Sequence, residues 1–581
     1  MTGGEAIIRH LERQGVEYAF GLVGHGNLAL VDALIDSKIK YISVPHEQIA
    51  VHAADAYFRV THKPSIVVTT VGPGATNTPT GLADALLDSS AVVVLAGGIP
   101  SFYTGTDALQ ELGTHHDDEQ FEIFKPLTKR VWKVAHPRLL PQVISRAFNF
   151  ALTGNPGPVM VHVPLDFYSY RLDYDERDIA QYRPTSRRVL GDPAEIERAL
   201  ALLLKAERPL IYAGNGVLLS EASAELTALA EYLQIPVATT MSGQGAIDET
   251  HPLAAGFTGT VGTPVSNRLA READVILALG TRMPEMDSNS WKRQHFFAIP
   301  PAKLIHVDID PHEIGKIYPV TAGIVGDAQA VLSQFLQAAE AATSRRRPSE
   351  WVRAMRTQRE AWWAELAADQ ASKDVPITVG RLLGDIAQVL PVDGIFVSGV
   401  GVRHAVGQHL RFRRPMTHVV GSGFGTMGQE VPAALGAKLG RPTAPVVAAV
   451  GDGAFRSTMQ TLLPAVEYGI NAVWVVQNNY SFNVISLYQK RHWERMLGTE
   501  FKIEAEDKPY NPDFAALARA CGAEGKRIEQ PEDLKPALEE ALAADRPYVL
   551  DVIMTQQPRV RGSGYWVVND ILNPSWSGEP V

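Results

Sequence analysis

VVAAVGDGAFRSTMQTLLPAVEYGINAVWVVQNN, residues 446–479, decides the fold. A β-branched run, a glycine turn, a helical stretch and a second β-branched run spell strand–helix–strand, the unit of a parallel α/β sheet. Asp452 stands at the end of one strand and Asn478-Asn479 at the end of the next. Residues so placed converge on the carboxyl edge of a parallel sheet, where such folds bind ligands. Carboxylate and amide oxygens suit Mg²⁺, which typically keeps phosphate oxygens among its ligands. Gly453 and Ala454 open a helix, so their N–H groups can face a diphosphate. A bare Gly-Asp-Gly is otherwise only a tight turn; the strand context and the Asn pair give it chemical meaning.

The same rhythm runs outward through the chain in three blocks. The first holds YISV (41–44), SIVVTTV (65–71), AVVVLAG (91–97) and VMVHVP (159–164), with helical stretches at 46–60 and 77–88. The second holds PLIYAG (209–214), PVATT (236–240), VILALG (275–280) and LIHVDID (304–310). The third adds GIFVSG (394–399) and YVLDVIM (548–554) to the opening stretch. The fold class is therefore α/β, three doubly wound parallel-sheet domains over 1–172, 190–340 and 370–555, plus a C-terminal tail, 556–581. Residues 173–190 read as a polar linker. Residues 340–376, charged and containing SRRRPSE, read as a surface helix outside any sheet. The first and third blocks match in size and rhythm, with no visible sequence repeat.

Composition narrows the classes. The chain has 581 residues, a formal net charge of −10 and no long run of one sign, which argues against nucleic-acid binding. Its one cysteine, Cys521, excludes an internal disulfide and reads as a small core residue. No stretch approaches the ~20 apolar residues that span a bilayer, and the N-terminus carries no apolar signal core. A cytoplasmic protein is expected, with no nucleic-acid or membrane partner.

Taken together, GDG…NN resembles the diphosphate-binding motif of thiamine-diphosphate (ThDP) enzymes. The resemblance implies that Asp452 and Asn479 ligate Mg²⁺, with the backbone carbonyl of Ser481 completing the protein set. Upstream, Gly421-Ser-Gly-Phe-Gly-Thr-Met-Gly428 places Met427 between glycines. In that family a bulky residue here wedges between the two cofactor rings, and the Gly425 carbonyl accepts from the 4′-amino group. In the first block Pro45-His46-Glu47-Gln48 precedes Gly72-Pro-Gly-Ala-Thr-Asn77. Alone, a Glu at a helix start is a dipole contact. The pairing is similar to the pyrimidine-binding domain of the acetolactate synthase-like group, and implies that Glu47 activates the cofactor by sharing a proton with pyrimidine N1′. The implied order is pyrimidine, middle and diphosphate domains. HVDIDPHEIG (306–315) is also like this family, whose middle domain holds ADP, FAD or nothing. Active sites between subunits, in a homodimer or homotetramer, are implied too. Thr461 and mid-helix Pro464 depart from the family pattern, which often has Glu after GDGxF.

The substrate side stays open. His25, after the first strand-like segment, is either a carbonyl-polarising or proton-shuttling residue or a structural histidine. Either Gln110 or His116 is the active-site polar residue ahead of Pro126-Leu-Thr-Lys129. Glu494 is either an acid/base in a covering segment or a solvated charge. The tail from Arg559 to Tyr565 loosely resembles the Ser-Gly segment of oxalyl-CoA decarboxylases and 2-hydroxyacyl-CoA lyases, which folds over a thioester. Arg403, Arg559, Arg561 and Ser563 are its candidate coenzyme A contacts, with surface arginines the plain alternative. The leading expectation is a lyase cleaving a 2-hydroxyacyl-CoA, such as 2-hydroxyisobutyryl-CoA, to formyl-CoA and an aldehyde or ketone. The alternatives are an acetolactate synthase-like 2-oxo-acid decarboxylase or carboligase, an FAD-requiring oxidase, and a non-catalytic ThDP-fold subunit, against which the intact Glu47, Asp452 and Asn479 stand.

Overall fold

The computed structural model describes residues 1–112, 120–174, 188–421, 423–557 and 561–576. Three six-stranded sheets carry the molecule, and every strand pair within them is parallel. The first runs in space Lys40–Ser43, Tyr18–Gly21, Ser65–Thr69, Val92–Gly98, Val159–Pro164, Arg130–Lys133. The third runs His418–Val420, Ile395–Ser398, Val446–Gly451, Val473–Asn478, Tyr548–Ile553, Glu524–Ile528. Ranked by position in the chain, both read 2-1-3-4-6-5. The likeness of the first and third blocks is thus an identity of strand order.

The middle sheet differs. It runs Ala322–Val325, Lys303–Asp308, Val275–Leu279, Pro209–Ala213, Val237–Thr239, Ala254–Phe257. Ranked by position this is 6-5-4-1-2-3, the order of doubly wound dinucleotide-binding sheets.

The inner strands are buried on both faces, as sheets covered by helices require. The first and third domains share a core through two helices, Glu47–Thr61 and Glu430–Gly440. Alanines and glycines line the contact. A Cβ on Gly436 would lie 1.8 Å from the Ala53 carbonyl oxygen, so the two backbones touch and only glycine fits. Gly440 meets Val60 and Tyr57 further along, so the helices run side by side in the same direction.

Two expectations change. Helix Glu350–Gln370 buries Trp351, Val352, Met355, Trp362 and Leu366, so the segment read as a surface helix packs one stripe into the middle domain. Pro464 lies in the first turn of a short helix, Leu462–Glu467, after a 3₁₀ turn at Met459–Thr461. No helix is broken there, because an N–H in the first turn has no partner to lose.

Candidate active site

In a doubly wound sheet the binding crevice opens at the carboxyl edge where the strand order reverses. In the third sheet that point lies between Ile395–Ser398 and Val446–Gly451. The loops leaving those strands begin at Gly399 and Asp452. Asp452 is 1% exposed and starts helix Asp452–Thr458, one residue ahead of the expected start. Its Oδ1 accepts from the Gly453 N–H at 2.8 Å. Its Oδ2 accepts from the N–H groups of Asn479, 3.1 Å, and Tyr480, 2.6 Å, and from Asn511 Nδ2, 2.8 Å. Burial pushes the carboxyl up to about 6 against these donors. The Asn479 N–H on Asp452 brings the two expected ligands onto one another.

The donor set fits a hard cation. Asn479 Oδ1 is buried and has no hydrogen-bond partner, a cost of about 1–3 kcal/mol that a cation would remove. The only carboxylate in the set is Asp452. Ser481 is held from its side chain: its hydroxyl donates to Glu500 Oε1 at 2.8 Å, leaving the backbone carbonyl for ligation. Beyond Gly451 there is open space where a Cβ would stand, whereas a Cβ on Gly453 would meet the Phe482 ring at 2.4 Å. Gly453 and Ala454 lie on the first turn of the helix that Asp452 begins.

The glycine-rich loop approaches from the next strand. Gly425 takes φ +74, in the left-handed region glycine favours. Met427 is 48% exposed, an apolar side chain left uncovered as a ring wedge needs. Arg403 Nη1 donates to the Gly421 carbonyl at 3.2 Å, so Arg403 lies against this loop. Burial lowers the pKa of the guanidinium, and the charges of Asp287, Asp88 and Glu430, one from each domain, oppose that shift.

The first sheet reverses between Tyr18–Gly21 and Ser65–Thr69. Here too the expected residues gather. Glu47 is the first residue of its helix and 4% exposed. Its Oε2 accepts from Asn77 Nδ2 at 2.9 Å. A Cβ on Gly74 would sit 3.2 Å from Oε1 and 2.7 Å from Thr70 Cγ2, so the glycine leaves room for the carboxylate. His46 caps the helix, its Nδ1 accepting from the Gln48 N–H at 3.2 Å.

The substrate candidates divide. Gln110, at φ +65, turns its carbonyl onto Gly72, beside the motif that holds Glu47. His25, itself exposed, begins the 3₁₀ turn His25–Asn27 after Tyr18–Gly21, at the same edge, while Gly26 and Asn27 are buried. His116 and Arg559 lie outside the described residues. Glu494 is the exposed, left-handed cap of helix Asn483–Trp493, with its N–H on the Lys490 carbonyl. A second carboxylate besides Asp452 meets the Asn479–Ser481 turn, Glu500, which sequence reasoning missed. It accepts from the Ser481 and Ser486 hydroxyls and from Gln556 Nε2.

The tail lies along the middle domain. The Tyr565 and Val567 N–H groups donate to Asn289 Oδ1 and Ser290 Oγ, and Tyr565 stacks on His295 at 4.2 Å. Ser563 Oγ accepts from Asn267 Nδ2. Arg561 is paired with Asp369, Nε to Oδ2 at 2.6 Å, with Glu365 further off. Trp566 reaches the Tyr488 ring, joining the tail to helix Asn483–Trp493.

A cavity of about 460 Å³ opens at the reversal point of the middle sheet. Asn215 and Gly216, Gly280 to Arg282 and Asp308, from the carboxyl ends of middle-sheet strands, line it together with Asp88, Asp287 and Gly423.

Comparison with known proteins agrees with this architecture. Family models described as the N-terminal TPP binding, central and C-terminal TPP binding domains of thiamine pyrophosphate enzymes match residues 1–120, 196–335 and 399–552. The chain belongs to the thiamine pyrophosphate enzymes, in their acetolactate synthase-like superfamily. It is 36% identical to a probable acetolactate synthase large subunit of Methanocaldococcus jannaschii, over 95% of this chain and 92% of that protein. It is 36% identical to the acetolactate synthase large subunit of Corynebacterium glutamicum, over 96% and 88%. With that of Haemophilus influenzae the figures are 34%, 94% and 92%. It is an enzyme of this cofactor class.

Proposed function

We propose that the protein is a ThDP- and Mg²⁺-dependent carboligase of the acetolactate synthase type, which decarboxylates a 2-oxo acid and joins the remaining acyl unit to a second carbonyl compound. The likeness to acetolactate synthase large subunits over nearly the whole of both chains carries this reading. It displaces the 2-hydroxyacyl-CoA lyase as the leading candidate. Of the arginines that argued for coenzyme A, Arg561 is engaged by Asp369 and Arg403 lies against the cofactor loop.

When bound, ThDP supplies the carbon nucleophile and electron sink for chemistry beside a carbonyl. Asp452, Asn479 and the Ser481 carbonyl hold the cation that anchors its diphosphate. Met427 and the Gly425 carbonyl receive the rings. Glu47 carries a proton for pyrimidine N1′: Asn77 occupies Oε2, which leaves Oε1, beside Gly74, for the proton. Gln110 and His25 stand at the same edge to meet substrate. Glu47 and Asp452 belong to different sheets, and pairing of subunits brings one half from each chain into a site, in a homodimer or homotetramer. The middle cavity, on a sheet of dinucleotide-binding order, takes FAD or ADP.

Product analysis tests the reading. With ThDP and Mg²⁺, pyruvate is expected to yield carbon dioxide and an acetolactate-like product, while 2-hydroxyacyl-CoA thioesters stay inert. Formyl-CoA from the thioesters, with pyruvate untouched, would overturn it and restore the lyase.

A further inference from the structure

The Asn478-Asn479 pair supplies one expected ligand, Asn479, and leaves Asn478 without a task. Asn478 is fully buried at the end of its strand. Its Nδ2 donates to Asp551 Oδ1 at 2.8 Å, on the neighbouring strand. Its Oδ1 accepts from Asn511 Nδ2, also at 2.8 Å. The same Asn511 Nδ2 donates to Asp452 Oδ2. Asp551, Asn478, Asn511 and Asp452 therefore form one continuous chain of carboxylates and amides, from strand Tyr548–Ile553 to the cation carboxylate. Asp551 is itself fixed, facing Arg527 Nη1 at 3.5 Å.

Asn511 spends both Nδ2 hydrogens on this chain, and its Oδ1 is buried with no hydrogen-bond partner. Asn479 Oδ1 is in the same state. Two unpartnered amide oxygens thus flank one carboxylate. Neither is explained by protein contacts, and a hydrated cation supplies the missing partner for both: direct ligation for Asn479, a hydrogen from a cation-bound water for Asn511.

We propose that Asn511 is a positioning residue for the cation at Asp452 and Asn479. It holds Asp452 Oδ2 so that Oδ1 faces the metal, and Asn478 is the strut that ties Asn511 to the sheet. The inference rests on the cation reading of the site, and it is independent of which substrate the enzyme uses. Partners outside the ligand set typically set metal affinity within a factor of about 10–100.

The test is Mn²⁺ titration of the full-length protein with ThDP, followed by electron paramagnetic resonance, in wild type and Asn511→Ala. The expected result is a loss of about 10–100-fold in Mn²⁺ affinity in the variant, with turnover recovering as Mg²⁺ is raised. A merely structural asparagine would lower thermal stability without such recovery. Unchanged Mn²⁺ affinity in Asn511→Ala would overturn the inference. Should that variant fail to fold, Asn511→Ser decides by the same titration. A wild-type protein that binds no Mn²⁺ with ThDP would overturn the cation reading itself, and this role with it.

Discussion

The side-chain amide of Asn77 donates to Glu47 Oε2 at 2.9 Å, so the last residue of the Gly-Pro-Gly-Ala-Thr-Asn motif holds the carboxylate that begins the next-door helix. A carboxylate with one oxygen held by an amide donor suits a residue that must keep or release one proton at the other. Glu47→Gln keeps the shape and loses that capacity. Turnover is expected to fall by about 10²–10⁴-fold, while ThDP still binds by fluorescence titration. Unchanged turnover would remove Glu47 from its assigned role.

Gly74→Ala tests the packing behind the same oxygen. The added methyl meets Thr70 Cγ2 at 2.7 Å and Glu47 Oε1 at 3.2 Å. Thr70 must shift and Glu47 Oε1 give by a few tenths of an ångström; a full ångström of misplacement can cost about 10²-fold in rate, so a loss below about 10²-fold is expected. Steady-state kinetics are expected to show that loss mainly in kcat, with a folded protein by circular dichroism.

Glu500→Ala removes a carboxyl acceptor shared by Ser481, Ser486 and Gln556. Such hydrogen bonds contribute about 1.5–3 kcal/mol each. The neck of the 482–499 segment is closed by the Phe482 N–H on Thr499 and the Phe501 N–H on Tyr480. Exchange of these two amides should quicken by roughly ten- to a hundredfold if opening is local. Hydrogen exchange with mass spectrometry reads it; equal rates would mean that Glu500 does not latch the segment.

Glu249 sets a pH dependence away from the site. It is fully enclosed, accepts from the Phe412 N–H and Gln244 Nε2, and burial pushes its carboxyl up to about 7. A raised folded value means that the native state holds the proton more tightly. Its contribution to stability is present below the ordinary carboxylate range and is lost as pH rises through about 7. The Tm of Glu249→Gln should therefore gain on wild type between pH 5 and 8. A constant difference across that range would refute the assignment.

The inner strands were legible because parallel strands covered on both faces read as unbroken β-branched runs: Val159–Pro164 coincides with the run that marks it. Edge strands mostly carry no such mark, Lys40–Ser43, read from YISV, being the exception. Arg130–Lys133 and Glu524–Ile528 are half-exposed and charged, and Ala254–Phe257, Ala322–Val325 and His418–Val420 are too short for a period to show. The site divides likewise. Glu47, Asp452 and Asn479 stand at ends of legible strands or helices, in motifs whose spacing is local. Asn511 sits in Tyr-Asn-Pro-Asp, which reads as a loop and a helix cap; its partners lie far away in sequence. Glu500 becomes visible only when the chain folds back on Tyr480–Phe482. Glu494, closer to the Asn pair in sequence, points to solvent as a helix cap.

The shared 2-1-3-4-6-5 order of the first and third sheets means that one scaffold is used twice, with opposite duties at the same edge. On the proposed reading one copy presents a proton-holding carboxylate, Glu47, and the other a cation seat at Asp452, each the first residue of a helix that follows a strand. Selection can then retune the two halves separately. On the same reading, changes at 22–27 or 108–112 are expected to alter which molecules are accepted, whereas 482–499 also touches the cation side through Phe482 on Gly453 and Ser486 on Glu500. Such a chassis is tolerant of new specificities, and a library confined to those loops is the economical way to look for them.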